Sequence, residues 1–216
     1  MPTAIFDFLQ ETDDYYYPCF TGTYLRLIRQ MVFLGAIFLT PVWYTLVVNE
    51  GYLPDWISFI VPKNTGEVPI IAQLLIVEFV LDGLKLASLN TPSVLSNSFS
   101  VVGGLLLGDF AVQIGWLCPD AIFYMAIEAI AGFTQSNYEL GYAFKFMRIM
   151  LLVMVGFFGI VGFVIGTLLI VVIVASNKSV DGSRSYLYPL FPFNRKAFLR
   201  HIFRFKLKPQ DPKNKK

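Results

Sequence analysis

The sequence predicts an all-α fold, a polytopic helical membrane bundle of about four spans plus one charged re-entrant or interfacial helix. Three observations carry this. Residues 149–175 are apolar throughout, uncharged, with Thr167 their only hydroxyl. Wound as one α-helix they would extend roughly 40 Å, against a bilayer core of about 30 Å, and a soluble helix of that length would need a polar face. Hydrophobic residues make up 56% of the 216-residue chain and charged residues 15%, too apolar a surface for a soluble domain of this length. Several further apolar blocks, each bounded by polar or Pro/Gly-rich breaks, supply the remaining spans.

The first block is 31–48. Arg26 and Arg29 precede it, and Trp43 and Tyr44 near its far end are expected at the membrane interface, where amphipathic rings are favoured. Pro41 is expected to kink the helix or free a carbonyl inside the membrane. Residues 49–68, rich in Pro, Gly, Asn and charge, read as a loop, and Trp56, Phe59 and Ile60 within it point to a loop lying against the membrane surface. The next segment, 70–89, is mostly apolar, yet Glu78, Asp82 and Lys85 fall on one helical face, so it is expected to lie against the bundle without crossing. Residues 99–116 form a glycine-rich span carrying Asp109. After a break at Cys118-Pro119, with Pro119 suited to a first helical turn, 120–133 is a shorter apolar stretch containing Glu128. A polar link, 134–139, leads through Lys145 and Arg148 into the long final span.

Residues 177–216 hold 11 of the 17 Lys and Arg residues, which by the positive-inside rule makes the tail cytoplasmic. Arg26 and Arg29 place the N-terminus on the same side, so the number of crossings is expected to be even, and four is favoured. Lys145 and Arg148 stand against that count, because it leaves them outside.

Composition also excludes function classes. Cys19 and Cys118 form no metal or redox spacing, and one histidine, His201, leaves no room for a His-rich metal site. Phosphate-cradling loops, nucleophile elbows and zinc-protease motifs are all missing. The chain reads as a non-enzyme with no cofactor and no metal.

The functional candidates are therefore membrane features. Charges inside a bilayer cost at least a few kcal/mol each and mark pathways or buried partners. Glu78, Asp82, Lys85, Asp109 and Glu128 are these residues. Glu78, Asp82 and Lys85 read equally as an ion or proton pathway and as the wet face of an interfacial helix, in which Asp82 and Lys85 could pair. Glu128 reads as a group facing a cavity or partnering a charge on another helix. A second feature is one small or polar face, Ser93, Asn97, Ser100, Gly104, Gly108 and Ala111, at spacings of three and four. Such a face commonly packs helices closely. Turned toward a symmetry axis it would line a narrow pore, with Val101, Leu105 or Leu107 as a hydrophobic gate. The glycines at 156, 159, 162 and 166 read as packing. In the tail, Arg195, Lys196, Arg200, Arg204, Lys206 and Lys208 interleave with aromatic and aliphatic residues, a basic amphipathic segment suited to an anionic leaflet and not to nucleic acid.

The stretches PTAIFDFLQETDDYY, GTYLRLIRQ, VPIIAQLLIVEFVLDGLKLASLNTPS, VVGGLLLGDFAVQIGWLCPDAI, NYELGYAFKFMRI and YLYPLFPFN occur in an order that resembles the A subunits of GerA-type spore germinant receptors, closest to the stage V sporulation AF branch of that family. The resemblance implies a multi-pass protein of the spore inner membrane and an oligomeric channel subunit that releases monovalent cations during germination. The partners it implies are the lipid bilayer, further copies of the chain, a second small membrane protein and monovalent cations. Family members carry a large soluble domain ahead of this region. Residues 1–29 are accordingly expected to be the cytoplasmic junction remnant of that domain, with 30–176 the transmembrane bundle and 177–216 the basic cytoplasmic tail. Two other functions compete: a secondary transporter using the intramembrane carboxylates, against which stand the missing inverted repeat and the few spans, and a non-conducting membrane scaffold.

Overall fold

A computed structural model of the chain describes residues 18–90, 103–104, 106–134 and 138–176. The described residues are helical with no strand among them. They divide into two compact units, one within 33–170 and one formed by the described residues of 1–32 and 171–216. The first holds the features that concern function. In the second, residues 19–32 and 171–176 are helical, with Thr23 Oγ1 donating to the Cys19 carbonyl at 2.7 Å.

Helix α1 spans Cys19–Val48 and passes through Pro41. The Thr45 hydroxyl donates to the Pro41 carbonyl at 2.7 Å, and Asn49 Nδ2 donates to Thr45 O at the helix end. Two 3-10 turns follow, Glu50–Tyr52 and Asp55–Ile60, in the segment expected to be a loop. Helix α2, Ile70–Asn90, begins directly after Pro69. A π-helical turn, Leu106–Phe110, passes into the short α3, Ala111–Gln113. Helix α4, Pro119–Phe133, starts as its sequence dictates: Cys118 is extended at the N-cap and its Sγ accepts from Ala121 N at 3.4 Å, Pro119 fills the first turn, and Asp120 faces the positive end of the helix dipole.

Helix α5, Tyr138–Ser176, corrects the reading of 149–175 as one straight span. Gly159 sits at φ 58°, ψ −134°, outside helical space, and divides α5 into two arms, 138–158 and 160–176. The second arm folds back on the first. A Cβ built on Gly166 would lie 2.8 Å from Leu151 Cδ2, although a straight helix would hold residues 15 positions apart at roughly 22 Å. Gly162 similarly lies against the Met154 carbonyl. Gly156, Gly162 and Gly166 thus serve close packing, as expected, while Gly159 serves the reversal, because an L side chain is strained at that φ.

Side-chain contacts fix the helix directions within 33–170. Phe33 meets Phe144 edge-on at 4.3 Å, the Ala36 carbonyl meets Arg148, and the Tyr44 hydroxyl lies beside Gly156, so α1 and the first arm of α5 run parallel. Ile71 packs at Gly156 and Glu78 at Arg148, so α2 runs opposite. Trp43 stacks on Tyr124 at 4.7 Å and Glu128 meets Arg148, which gives α4 the direction of α2. Gly103 abuts Leu84 near the end of α2, while the Gly115 carbonyl accepts from Glu67 N before its start, so residues 103–115 return the chain. With the second arm of α5, marked by Phe38 against Phe163, the described residues of this unit make six helical passes of alternating direction.

The core is Trp43, Tyr44, Leu74, Val77, Leu117, Cys118, Ala121, Met125, Leu152 and Val155. Trp43 is buried, and its indole N–H finds the Ile60 carbonyl at 3.1 Å, which satisfies its polar handle. The face of α2 that carries Glu78 is not a wet one, since Gln73, Leu74, Val77 and Glu78 are all buried. The outward surface carries Phe79, Phe123, Ile130, Phe146, Phe157, Val164 and Leu168 exposed. Helix α1 and the Glu139–Ser176 stretch are each long and apolar enough to cross a membrane, and the apolar exterior agrees with lipid as its surroundings.

Candidate functional site

Arg148 stands midway along the first arm of α5, where the four helices α1, α2, α4 and α5 converge. Its Nη1 donates to the Ala36 carbonyl at 2.6 Å, and its Nε and Nη2 reach Glu78 Oε1 at 2.6 and 2.5 Å. The same guanidinium pairs with Glu128 Oε1. Arg148, Glu78 and Glu128 are each 4% exposed. One turn earlier, Lys145 lies 3.4 Å from Glu78 Oε2, donates to the Glu78 carbonyl at 3.3 Å and pairs with Asp82, whose side chain is 37% exposed. A planar guanidinium with five donors suits this task, because it can serve two carboxylates and a carbonyl at once.

The network borders a cavity of about 70 Å³ lined in part by Glu78, Asp82, Lys85, Glu128, Lys145 and Arg148. That volume holds several waters, each needing at least about 10–15 Å³. Glu128 Oε2 is buried with no hydrogen-bond partner among the described residues. The arrangement can clasp four helices together and can hold water beside a carboxylate in an otherwise apolar bundle.

The structure sets Glu128 beside Glu78 and Asp82, the two acids that share one face of α2. Asp82 pairs with Lys145 and not with Lys85, whose Nζ lies over the Tyr142 ring at 5.0 Å. The cations of the cluster, Lys145 and Arg148, which the sequence sets between the polar link and the last span, are helical residues of the bundle, Arg148 buried and Lys145 half-buried. A signal was present: they sit at i and i+3 on one helical face, as Glu78 and Asp82 at i and i+4 share one face of another helix.

A second knot lies at the start of α2. Gln73 is fully buried, and its Nε2 donates to the carbonyls of Thr65 and Val68 at 2.6 and 2.7 Å while its Oε1 accepts from Cys118 N at 2.8 Å. It ties the 61–69 loop to the start of α4.

Of the small or polar face, Ser93, Asn97, Ser100, Val101 and Leu105 lie outside the described residues, as does the tail with Arg195, Lys196, Arg200, Arg204, Lys206 and Lys208. Leu107 belongs to the π-helical turn. Gly104, Gly108 and Asp109 are exposed, and Ala111 packs against the core. Asp109 falls between Gly103, which abuts Leu84 of α2, and Gly115, whose carbonyl accepts from Glu67 N before α2 begins.

Comparison with known proteins identifies the relatives. The family model described as Bacillus/Clostridium GerA spore germination protein matches residues 1–216. The chain is 34% identical to stage V sporulation protein AF of Bacillus subtilis over 203 residues, covering 94% of this chain and 41% of that protein. It is 22% identical to spore germination protein GerQA of Bacillus cereus, covering 100% of this chain and 47% of that protein. Against spore germination protein KA of Bacillus subtilis it is 24% identical, with 94% and 38% covered. The chain thus spans less than half the length of these curated relatives. No solved structure matches it.

Proposed function

The chain belongs to the Bacillus/Clostridium GerA spore germination protein family, and on that premise we propose that it is a membrane subunit of a spore germination complex, a channel subunit that assembles with copies of itself and releases monovalent cations during germination. In this reading the six helical passes cross the spore inner membrane. The even number returns the chain to the side of the basic tail, the cytoplasm.

The observation that carries the channel reading is Asp109. Its carboxylate is exposed in the π-helical turn Leu106–Phe110, on the flank of a bundle that carries many exposed Phe, Ile, Leu and Val side chains. A carboxylate facing lipid is costly, up to about 2.5–3.5 kcal/mol at the bilayer centre, so it is better placed beside water or another subunit. Exposed Gly104 and Gly108 next to it leave room for close approach of a second copy. Several copies around an axis would form a ring of carboxylates, a device that favours cations, and π-helical turns recur at functional sites.

Cation and anion efflux from proteoliposomes tests this with Asp109→Asn. The expected outcome is a loss of cation preference with assembly retained. Unchanged conductance and selectivity would remove Asp109 from the pathway.

A second reading, a secondary transporter, draws on the carboxylates Glu78, Asp82 and Glu128 around one cavity inside a single bundle. It predicts saturable, proton-coupled uptake that Glu128→Gln abolishes and Asp109→Asn spares.

A further inference from the structure

Six large aromatic side chains stand exposed at the end of the bundle that carries the loop between α1 and α2. Tyr52, Trp56 and Phe59 come from the loop itself, at 85%, 74% and 77% exposure. Trp116 precedes α4 and follows Gly115, whose carbonyl accepts from Glu67 N. Phe157 and Phe158 directly precede the reversal at Gly159, which lies beside the Asn49 side chain, a built Cβ being 3.5 Å from Asn49 Oδ1. Three separate segments of the chain therefore deliver aromatics to one end.

The loop is built to point its rings outward. In a 3-10 helix, side chains at i and i+3 eclipse, so Trp56 and Phe59 in the turn Asp55–Ile60 share one face. Ile57 and Ile60 on the opposite side are half-buried, and the hydrogen bond from Trp43 Nε1 to the Ile60 carbonyl fastens the turn to the core. The orientation of Trp56 and Phe59 is thereby set by a turn fastened to the core through a half-buried bond rather than by a free loop.

We propose that this end of the bundle seats in the headgroup region of the bilayer, with Tyr52, Trp56, Phe59, Trp116, Phe157 and Phe158 forming an interfacial belt and the α5 reversal lying at that level. Trp and Tyr favour this layer because an apolar ring and a polar tip are satisfied together. The belt continues the apolar flank of helices long enough to cross a membrane. Charge names the kind of lipid surface: Glu50, Asp55 and Glu67 outnumber Lys63 in the loop, so the seat depends on the rings and gains nothing from anionic headgroups, unlike the basic 177–216 segment. The inference needs the bundle to be in a membrane and does not depend on the pore.

Tryptophan fluorescence of the full chain in phosphatidylcholine nanodiscs tests it, taking the difference between the wild-type chain and Trp56→Phe, and separately Trp116→Phe, as the signal of each ring. Both sites are exposed, so both variants keep the fold. The expected result is blue-shifted emission, strong loss of intensity with lipids brominated near the headgroup, weaker loss with lipids brominated at the chain end, and no loss with aqueous acrylamide. Adding phosphatidylglycerol should leave the pattern unchanged. Quenching by acrylamide without quenching by brominated lipid places the belt in water and overturns the proposal. Protection from both quenchers means that a second copy or another protein covers the rings, and overturns it equally.

Discussion

Replacing Arg148 with alanine strips the guanidinium from two buried carboxylates at once. Arg148 makes three contacts of 2.5–2.6 Å, two to Glu78 and one to the Ala36 carbonyl, and also pairs with Glu128. Both glutamates are 4% exposed, so neither reaches bulk solvent when the guanidinium is lost; Glu78 keeps Lys145 at 3.4 Å, while Glu128 loses its ion-pair partner and is left with the cavity. Breaking a buried ion pair by removing one member costs about 3–5 kcal/mol, because an uncompensated charge is left behind. At 1.4 kcal/mol per decade that is a roughly hundred- to several-thousand-fold shift in the unfolding equilibrium. The lower end applies here, since helices separated within a bilayer find other partners for their polar groups. Denaturing-detergent titration of the protein in bicelles, followed by circular dichroism, reads the change. Arg148→Lys keeps the charge but loses the planar fork, and should fall between wild type and alanine. The triple variant Glu78→Gln, Glu128→Gln, Arg148→Met removes charge from both sides and should recover most of the loss, because a neutral core avoids the desolvation that the pair must offset. An alanine variant costing less than about 1 kcal/mol, or a triple variant no better than the single one, would refute the argument that these charges hold one another in place.

Two further changes separate competing geometries. Gly159→Ala should destabilise the protein by about 1–3 kcal/mol, since an L residue is strained at φ 58°, ψ −134°. In a straight helix the same change would stabilise by about 1 kcal/mol, so the sign of the shift in unfolding midpoint decides between reversal and single span. Gln73→Leu leaves the Thr65 and Val68 carbonyls and Cys118 N without their partner, at about 1–3 kcal/mol for each buried group that water does not reach. Hydrogen exchange should rise over 61–69 and at the start of α4, and unchanged protection there would show that Gln73 is not the tie.

The features legible in the sequence are those written in local chemistry. Pro119 after Cys118 marks the start of α4, the Pro/Gly-rich 49–68 stretch marks the loop, and the apolar runs mark helices because backbone groups in apolar surroundings must bond internally. The reversal at Gly159 was not legible: both arms are apolar, the tip carries Phe157 and Phe158 instead of turn residues, and the signal is one glycine among several. The countercharges of α2 were not legible for a different reason. Glu78 lies 70 residues from Arg148, and helical periodicity reports neighbours on one helix and nothing of a countercharge on another. The residue type of Trp43 fits an interface but says nothing of the Ile60 carbonyl that its indole N–H finds. Asp109 and the small residues near it were singled out from the sequence, and the exposed carboxylate in a π-helical turn is the part of that reading on which the channel proposal now stands.

The central claim is that copies of this chain share an axis lined by the Asp109 segment. Native mass spectrometry of the protein released from nanodiscs tests it most directly. The account predicts a closed ring of several identical subunits, in which a cysteine introduced at 109 cross-links copy to copy. A stable monomer, with position 109 reactive toward a lipid-soluble label and never toward a neighbouring copy, would contradict it.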